Sequence, residues 1–162
     1  MYNYTNCMEE HAMNLRRAKL PDVEAMMSLV NHFADQGLML PRSRNSLYEG
    51  LREFLVVEEQ DRIIGIGALH IIWDDLAEIR TLAVLEEYQG QGVGRSLVNA
   101  LLADARTILC PRVFTLTYQP GFFERCGFIM INKEDMPHKV WKDCIHCVKF
   151  PNCDENAMML NL

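Results

Sequence analysis

Apolar and polar residues follow two rhythms along this chain. In "LPDVEAMMSLVNHF" the apolar positions Val23, Met26, Met27, Val30 and Phe33 recur every three or four residues. That spacing predicts a helix with one buried stripe, opened by Pro21 and Asp22 in its first turn and preceded by a short strand around Asn14 to Ala18. The next stretch, "ADQGLMLPRSR", is broken by Gly37 and Pro41 and reads as a loop. A second short helix is expected over "NSLYEGLREF", capped by Asn45 or Ser46.

The rhythm then changes. The β-branched and apolar runs of "FLVVEEQDRIIGIGALHIIW", split by polar "EEQDR", predict a hairpin, and "LAEIRTLAV" a third strand from Ala77 to Val84. After a glycine-rich turn the helical period returns, with Val93, Leu97, Val98, Leu101, Leu102 and Ala105 on one face. "RVFTL" follows as a strand, "PGFFERC" as a short helix and "GFIMI" as a strand. The order is mixed α/β, and the strand–helix–strand unit at its centre requires a parallel pair. From Lys133 to Leu162 the chain is polar, rich in Cys and Lys and weakly periodic, and the pattern assigns no particular structure to it.

Composition narrows the class. At 162 residues and 49% hydrophobic content the chain suits one domain with a sizeable core, spanning 1–162. A net charge of −6 speaks against a surface that neutralises many phosphates, so nucleic acid is not an expected partner. No apolar run reaches the roughly 18 residues that a membrane helix needs, and the first residues lack an apolar leader core. The expectation is a cytoplasmic protein without membrane partners, whose 6 cysteines are reduced thiols or metal ligands rather than disulfides. A homodimer is allowed.

Chemistry concentrates in "EEYQGQGVGRSL". Glycine opens a helix poorly on propensity, yet Gly90, Gly92 and Gly94 stand directly before the most regular apolar stripe in the chain. A helix N-terminus offers unpaired N–H groups and a partial positive charge, and glycines let the backbone approach an anion closely. Arg95 can add a point charge. The bland alternative is an ordinary glycine-rich turn. A Walker loop is excluded because the chain has no Gly-Lys pair, and the dinucleotide fingerprint fails at Arg95. What fits is Gln89-Gly90-Gln91-Gly92-Val93-Gly94, a Q/R-x-x-G-x-G pattern.

That segment, within "AEIRTLAVLEEYQGQGVGRSLVNALLADA", resembles the acetyl-coenzyme A motif of the Gcn5-related N-acetyltransferases (GNAT), and "FFERCGF" is similar to the family's later Y-E-x-x-G-F segment. The resemblance implies a sheet whose central parallel strands splay apart to admit acetyl-coenzyme A. Leu82, Ala83 and Val84 would then meet the pantetheine arm, and Gln89, Gly90, Gln91, Gly92, Val93, Gly94 and Arg95 the pyrophosphate. Phe123 stands beside the cofactor where the family commonly has a tyrosine that protonates the departing thiolate.

Acetyl transfer needs a neutral amine, a polarised carbonyl and a protonated leaving thiolate. Glu78, on the strand before the loop, is either the base that accepts the ammonium proton or a solvated strand carboxylate. Phe123 has no hydroxyl, which leaves Tyr118, or less well Thr117, as the acid; Tyr118 reads equally as an anchor for its loop. No cysteine sits in an evident nucleophile context, and direct transfer in a ternary complex is favoured over a covalent route through Cys126.

"PRSR", "LTYQPGFFERCGF" and "KEDMPHKVWKDC" together are similar to the acetyltransferase domain of N-acetylglutamate synthases, short bacterial forms especially. This implies a small amine substrate, L-glutamate, and the first step of arginine biosynthesis. Arg42 and Arg44 would face its carboxylates, with Lys139 assisting. Another amino acid, a polyamine or a protein N-terminus is the alternative acceptor, and a coenzyme A sensor without turnover the alternative class. The amino-acid-kinase-like domain of long synthases has no counterpart in these residues. Finally, Cys144, Cys147 and Cys153 form C-x2-C-x5-C, half of a zinc pattern that His138, His146 or Cys126 would complete; partly buried thiols or a redox pair are the other readings.

Overall fold

The computed structural model describes residues 12–137 and 140–162, and up to residue 131 its main elements run in the order expected. Among the described residues, seven strands form one mixed sheet: β1 (Asn14–Arg17), β2 (Phe54–Glu59), β3 (Arg62–Trp73), β4 (Leu76–Val84), β5 (Arg112–Thr117), β6 (Ile129–Ile131) and β7 (Asn156–Asn161). Among the same residues five α-helices accompany them: α1 (Val23–Asp35), α2 (Arg44–Glu49), α3 (Val93–Thr107), α4 (Pro120–Glu124) and α5 (Trp141–Cys144). None of the helices in the described residues is long and apolar enough to cross a membrane.

Strand alternation sends neighbouring side chains to opposite faces. Phe54, Val56, Ile66 and Ala68 pack under α1 and α2, while Leu55, Val57, Ile64 and Leu69 pack under α3. The buried face of α3 is the six-residue stripe read from the sequence. On α1 the buried set is Val23, Met26, Leu29, Val30 and Phe33, so Leu29 takes the place expected for Met27, which lies at the margin. The cap of α2 also differs: Ser43, not Asn45 or Ser46, is the capping residue, and its side chain accepts a hydrogen bond from the Ser46 amide.

Sheet order is β1-β2-β3-β4-β5-β7-β6, and β4 and β5 are the parallel pair. Their ladder is short, with Ala77 opposite Val113 and Glu78 opposite Phe114. One residue further on, the Thr115 hydroxyl donates to the Ile79 carbonyl at 2.9 Å, and beyond it the strands part. The splay expected from the family resemblance is therefore present.

The tail, whose structure the sequence pattern left open, completes the sheet. Residues 156–161 form β7, which lies between β5 and β6 and pairs with β5 from Arg112↔Asn161 to Thr117↔Asn156. Met136, Val140 and Ala157 join Leu76 and Phe114 in a third buried cluster, so the segment after β6 packs onto the sheet rather than trailing from it.

Candidate active site

Where β4 and β5 diverge, a cleft of about 940 Å³ opens. Its walls include β4 from Glu78 to Val84, the end of β5, the loop before α2 and the tail. Tight backbone geometry shapes one end. Gly90 and Gly92 have φ of 75° and 89°, where a Cβ is strained, and left-handed Gly92 caps α3. The Ser96 amide donates to the Gly92 carbonyl at 2.9 Å, so the amides of Val93, Gly94 and Arg95 precede the first intrahelical bond. A Cβ on Gly94 would stand 3.2 Å from the Phe122 ring, which explains a third glycine even inside the helix.

Side chains brace this loop. Gln89 Nε2 donates to the Val84 carbonyl at 2.9 Å and Gln91 Nε2 to the Glu87 carbonyl at 2.7 Å. Gln89, Gly90 and Gly94 line the cleft; Arg95 is exposed and reaches the Arg125 carbonyl at 3.5 Å. Arg125 itself lines the cleft, a cation that the sequence reading passed over. Cys126 packs at the margin of the core under α3, and burial pushes its thiol up against the lowering pull of Arg95 and Arg125, which works against a thiolate nucleophile.

Leu82, Ala83 and Val84 all line the middle of the cleft. On their other side Val84 pairs with Gly65 and Ala83 with Ile66. The register then slips, because Arg80 already faces Ala68, and Thr81 in this bulge has φ of 57°. A β-branched residue in that region is strained, a condition found where geometry serves a site. Phe123 is 3% exposed and meets Phe122 and Phe128 edge to face, so it is the packed floor beside the cleft.

The opposite end gathers charge. Glu78 lines the cleft, and His70 is its neighbour across the β3–β4 ladder. His70 Nδ1 lies 2.8 Å from Glu53 Oε1, and Arg80 Nη2 donates to Glu53 Oε2 at 3.3 Å. Burial raises the Glu53 carboxyl, but the hydrogen bond and charge of His70, together with Arg80, outweigh it and hold the group below its usual range. His70 and Arg80 line the cleft and were missed from sequence, although Glu78-x-Arg80 is the i, i+2 spacing that puts two side chains on one strand face.

Of the expected acceptor residues, Arg42 lines the cleft, donating to the Thr81 hydroxyl at 3.1 Å. Arg44 is a correction. It is exposed and forms a two-pronged ion pair with Glu24 on α1, and it is not among the residues that wall the cleft. Lys139 lies outside the described residues.

Tyr118 and Thr117 both line the cleft but have other partners. The Tyr118 hydroxyl donates to Asp154 at 2.5 Å and Lys149 Nζ sits 4.1 Å from its ring centre, which fits the anchoring reading. The Thr117 hydroxyl accepts from the Gln119 amide at 2.9 Å at the entry to α4. Cys144, Cys147 and Cys153 line the tail wall, yet among the described residues no three His, Cys, Asp or Glu side chains are placed to share a metal ion. The expected zinc site is thus not supported; His138 lies outside the described residues. Near Cys153, burial raises the carboxyl of Glu155, another cleft residue.

Comparison with known proteins agrees with this architecture. The acetyltransferase (GNAT) family model matches residues 22–128. An uncharacterized N-acetyltransferase of Chlorobaculum tepidum is 40% identical over 148 residues, covering 91% of this chain and 96% of that protein. An amino-acid acetyltransferase of Mycobacterium tuberculosis is 39% identical over 132 residues, covering 80% of this chain and 75% of the relative. A Mycobacterium tuberculosis crystal structure with coenzyme A and a second ligand superposes with a TM-score of 0.81 at 34% identity, over 92% of this chain and 99% of the other. N-acetylglutamate synthase from Neisseria gonorrhoeae, complexed with coenzyme A and N-acetyl-glutamate, gives 0.85 at 26% identity over 95% of this chain, but this is 36% of that longer protein. The chain belongs to the acetyltransferase (GNAT) family and is an acetyl-coenzyme A-dependent N-acetyltransferase.

Proposed function

We propose that this enzyme acetylates the α-amine of a small acidic amino acid, L-glutamate, and so performs the first step of arginine biosynthesis. The observation that carries the reading is the pairing, in one cleft, of a glycine-capped helix N-terminus at one end with Glu78 and the cation Arg42 at the other. Glutamate brings an amine and two carboxylates, and an enzyme of net charge −6 needs local cations to hold it. The likeness to an amino-acid acetyltransferase and to an N-acetylglutamate synthase supports the same acceptor class.

In this reading the pyrophosphate rests on the amides of Val93 to Arg95, and the pantetheine arm runs along Leu82, Ala83 and Val84. Glu78, directly or through water, takes the ammonium proton. The neutral amine attacks the thioester carbonyl and forms the carbon–nitrogen bond, the carbon–sulfur bond breaks, the nitrogen gives up its second proton, and the departing thiolate takes up one proton in balance. Tyr118 is the hydroxyl assigned to that last step, with Asp154 as its resting partner; Thr117 is tied to the Gln119 amide. Holding both substrates in one cleft supplies much of the acceleration.

The test is release of free thiol from acetyl-coenzyme A with a panel of amines. Glutamate is expected to turn over faster than aspartate, glutamine, lysine or spermidine. A preference for spermidine sinks the reading, and no release above background with any amine favours a coenzyme A sensor.

A further inference from the structure

We propose that Arg80, held by Glu53, supplies the second cation for the acceptor and reads one of its carboxylates. This rests on an amino-acid acceptor as proposed above. The sequence pairs Arg42 with Arg44, but the guanidinium of Arg44 is engaged by both oxygens of Glu24, outside the cleft. Two further arginines line the cleft: Arg125, whose carbonyl meets Arg95 beside the α3 cap, and Arg80, which lies next to Thr81, the residue that Arg42 contacts. The position of Arg80 follows from the fold: the β4 bulge at Thr81 places Thr81 and Leu82 together opposite Gly67, and the Thr81 hydroxyl accepts from Arg42. Arg42 from the loop thus meets the residue that follows Arg80, with Glu78 two positions upstream of Arg80 on the same strand.

Glu53 makes this arrangement specific. It sits in the turn before β2, is not among the residues that wall the cleft, and spends one oxygen on His70 and the other on Arg80. A guanidinium is a planar fork whose value for a carboxylate depends on its orientation, and the Glu53 bond fixes that plane. His70, engaged by the other oxygen, holds the Glu53 carboxylate in place. Arg80 is accordingly a binding residue and Glu53 a positioning residue.

The experiment measures steady-state kinetics of the full chain, Arg80→Ala, Arg80→Lys and Glu53→Gln with glutamate and its two monoamides, glutamine and isoglutamine. Arg80→Ala is expected to raise the KM for glutamate about 10- to 100-fold and to abolish the preference over one monoamide, because that acceptor lacks the carboxylate Arg80 would read. Arg80→Lys retains part of that preference, and Glu53→Gln raises the same KM with kcat and the KM for acetyl-coenzyme A within about twofold. Equal KM increases for all three acceptors, or none, overturn the proposal. A soluble Arg80→Lys with wild-type melting temperature keeps the test open if Arg80→Ala fails to fold. If the wild type prefers another carboxylate-bearing amine, the glutamate reading falls while Arg80 is tested on that amine and its amide. If its preferred acceptor has no carboxylate, both fall.

Discussion

Arg44 and Glu24 are joined by two hydrogen bonds, Nε to Oε1 at 2.6 Å and Nη2 to Oε2 at 3.0 Å, which tie α2 to α1 across the protein surface. Arg42 and Arg44 are two residues apart but diverge, because Ser43 between them is the helix cap and the chain changes conformation there. The pair is well exposed, so its contribution to stability is small. Arg44→Ala is therefore expected to leave the KM for the amine acceptor within about twofold of wild type, whereas Arg42→Ala raises it about tenfold or more by removing a charged hydrogen-bond donor. Equal effects in the two variants would put Arg44 back in the site.

The left-handed cap of α3 gives a second separable effect. Gly92→Ala forces an L-residue to φ of 89°, at a cost of about 1–2 kcal/mol. For a chain of this size that lowers the melting temperature by roughly 2–8 °C. It should also raise the KM for acetyl-coenzyme A, since the added methyl crowds the approach to the helix end. Gly127→Ala, at φ of 94° after α4, is the control, with a comparable thermal loss and an unchanged KM.

What the sequence made readable is what local spacing determines. The α3 stripe, the glycine cap and the strand before it follow from periods of 3.6 and 2, and the splay followed from the family that those motifs resemble. β7 was not readable because "NAMMLN" is a six-residue run in a polar setting, and its partners, β5 and β6, lie far back along the chain. The Glu53–His70–Arg80 cluster escaped for the same reason: it joins a turn and two strands. Counting arginines in one loop found Arg42 and also Arg44, because spacing alone does not reveal that a cap separates them.

The tail cysteines give a third expected outcome. With no group of three metal-binding side chains among the described residues, the purified protein should contain zinc far below one equivalent per chain. EDTA should leave the melting temperature unchanged. One zinc per chain, lost together with thermal stability on chelation, would instead restore a structural site that draws on His138.

Acid stability should depend on the join between β1 and α1. Arg16 donates to Asp22 at 2.7 and 3.0 Å and to Glu58 at 2.8 Å. Hydrogen bonding to Arg16 is the largest influence on Asp22 and holds its carboxyl below the usual range, against the opposing effect of burial. A depressed carboxyl adds stability that is complete above its unfolded value near 3.9 and is lost as pH falls through the lower folded value. Asp22→Asn should thus be less stable than wild type at pH 7, and the gap between the two melting temperatures should narrow as pH falls below the unfolded value near 3.9. A gap that stays constant from pH 7 to pH 2 would show that the ion pair is not its source.

Glu78 offers the sharpest test of the chemistry, because its two readings part company with pH. As a solvated strand carboxylate it would lose nothing on amidation beyond a surface charge. As the base it removes the proton that keeps the acceptor amine from attacking, and Glu78→Gln should lower kcat by about 10²–10⁴ near neutrality. The same loss should shrink as pH rises, since a growing share of the amine is then neutral in solution and needs no base. Neighbouring charges complicate a single profile: His70 sits opposite Glu78 on β3, and Arg80 follows it by two residues. The informative quantity is therefore the ratio of wild-type to variant kcat/KM at each pH, in which effects common to both proteins cancel. A ratio that falls steadily from neutral to alkaline pH supports proton removal by Glu78, and a flat ratio removes Glu78 from that role.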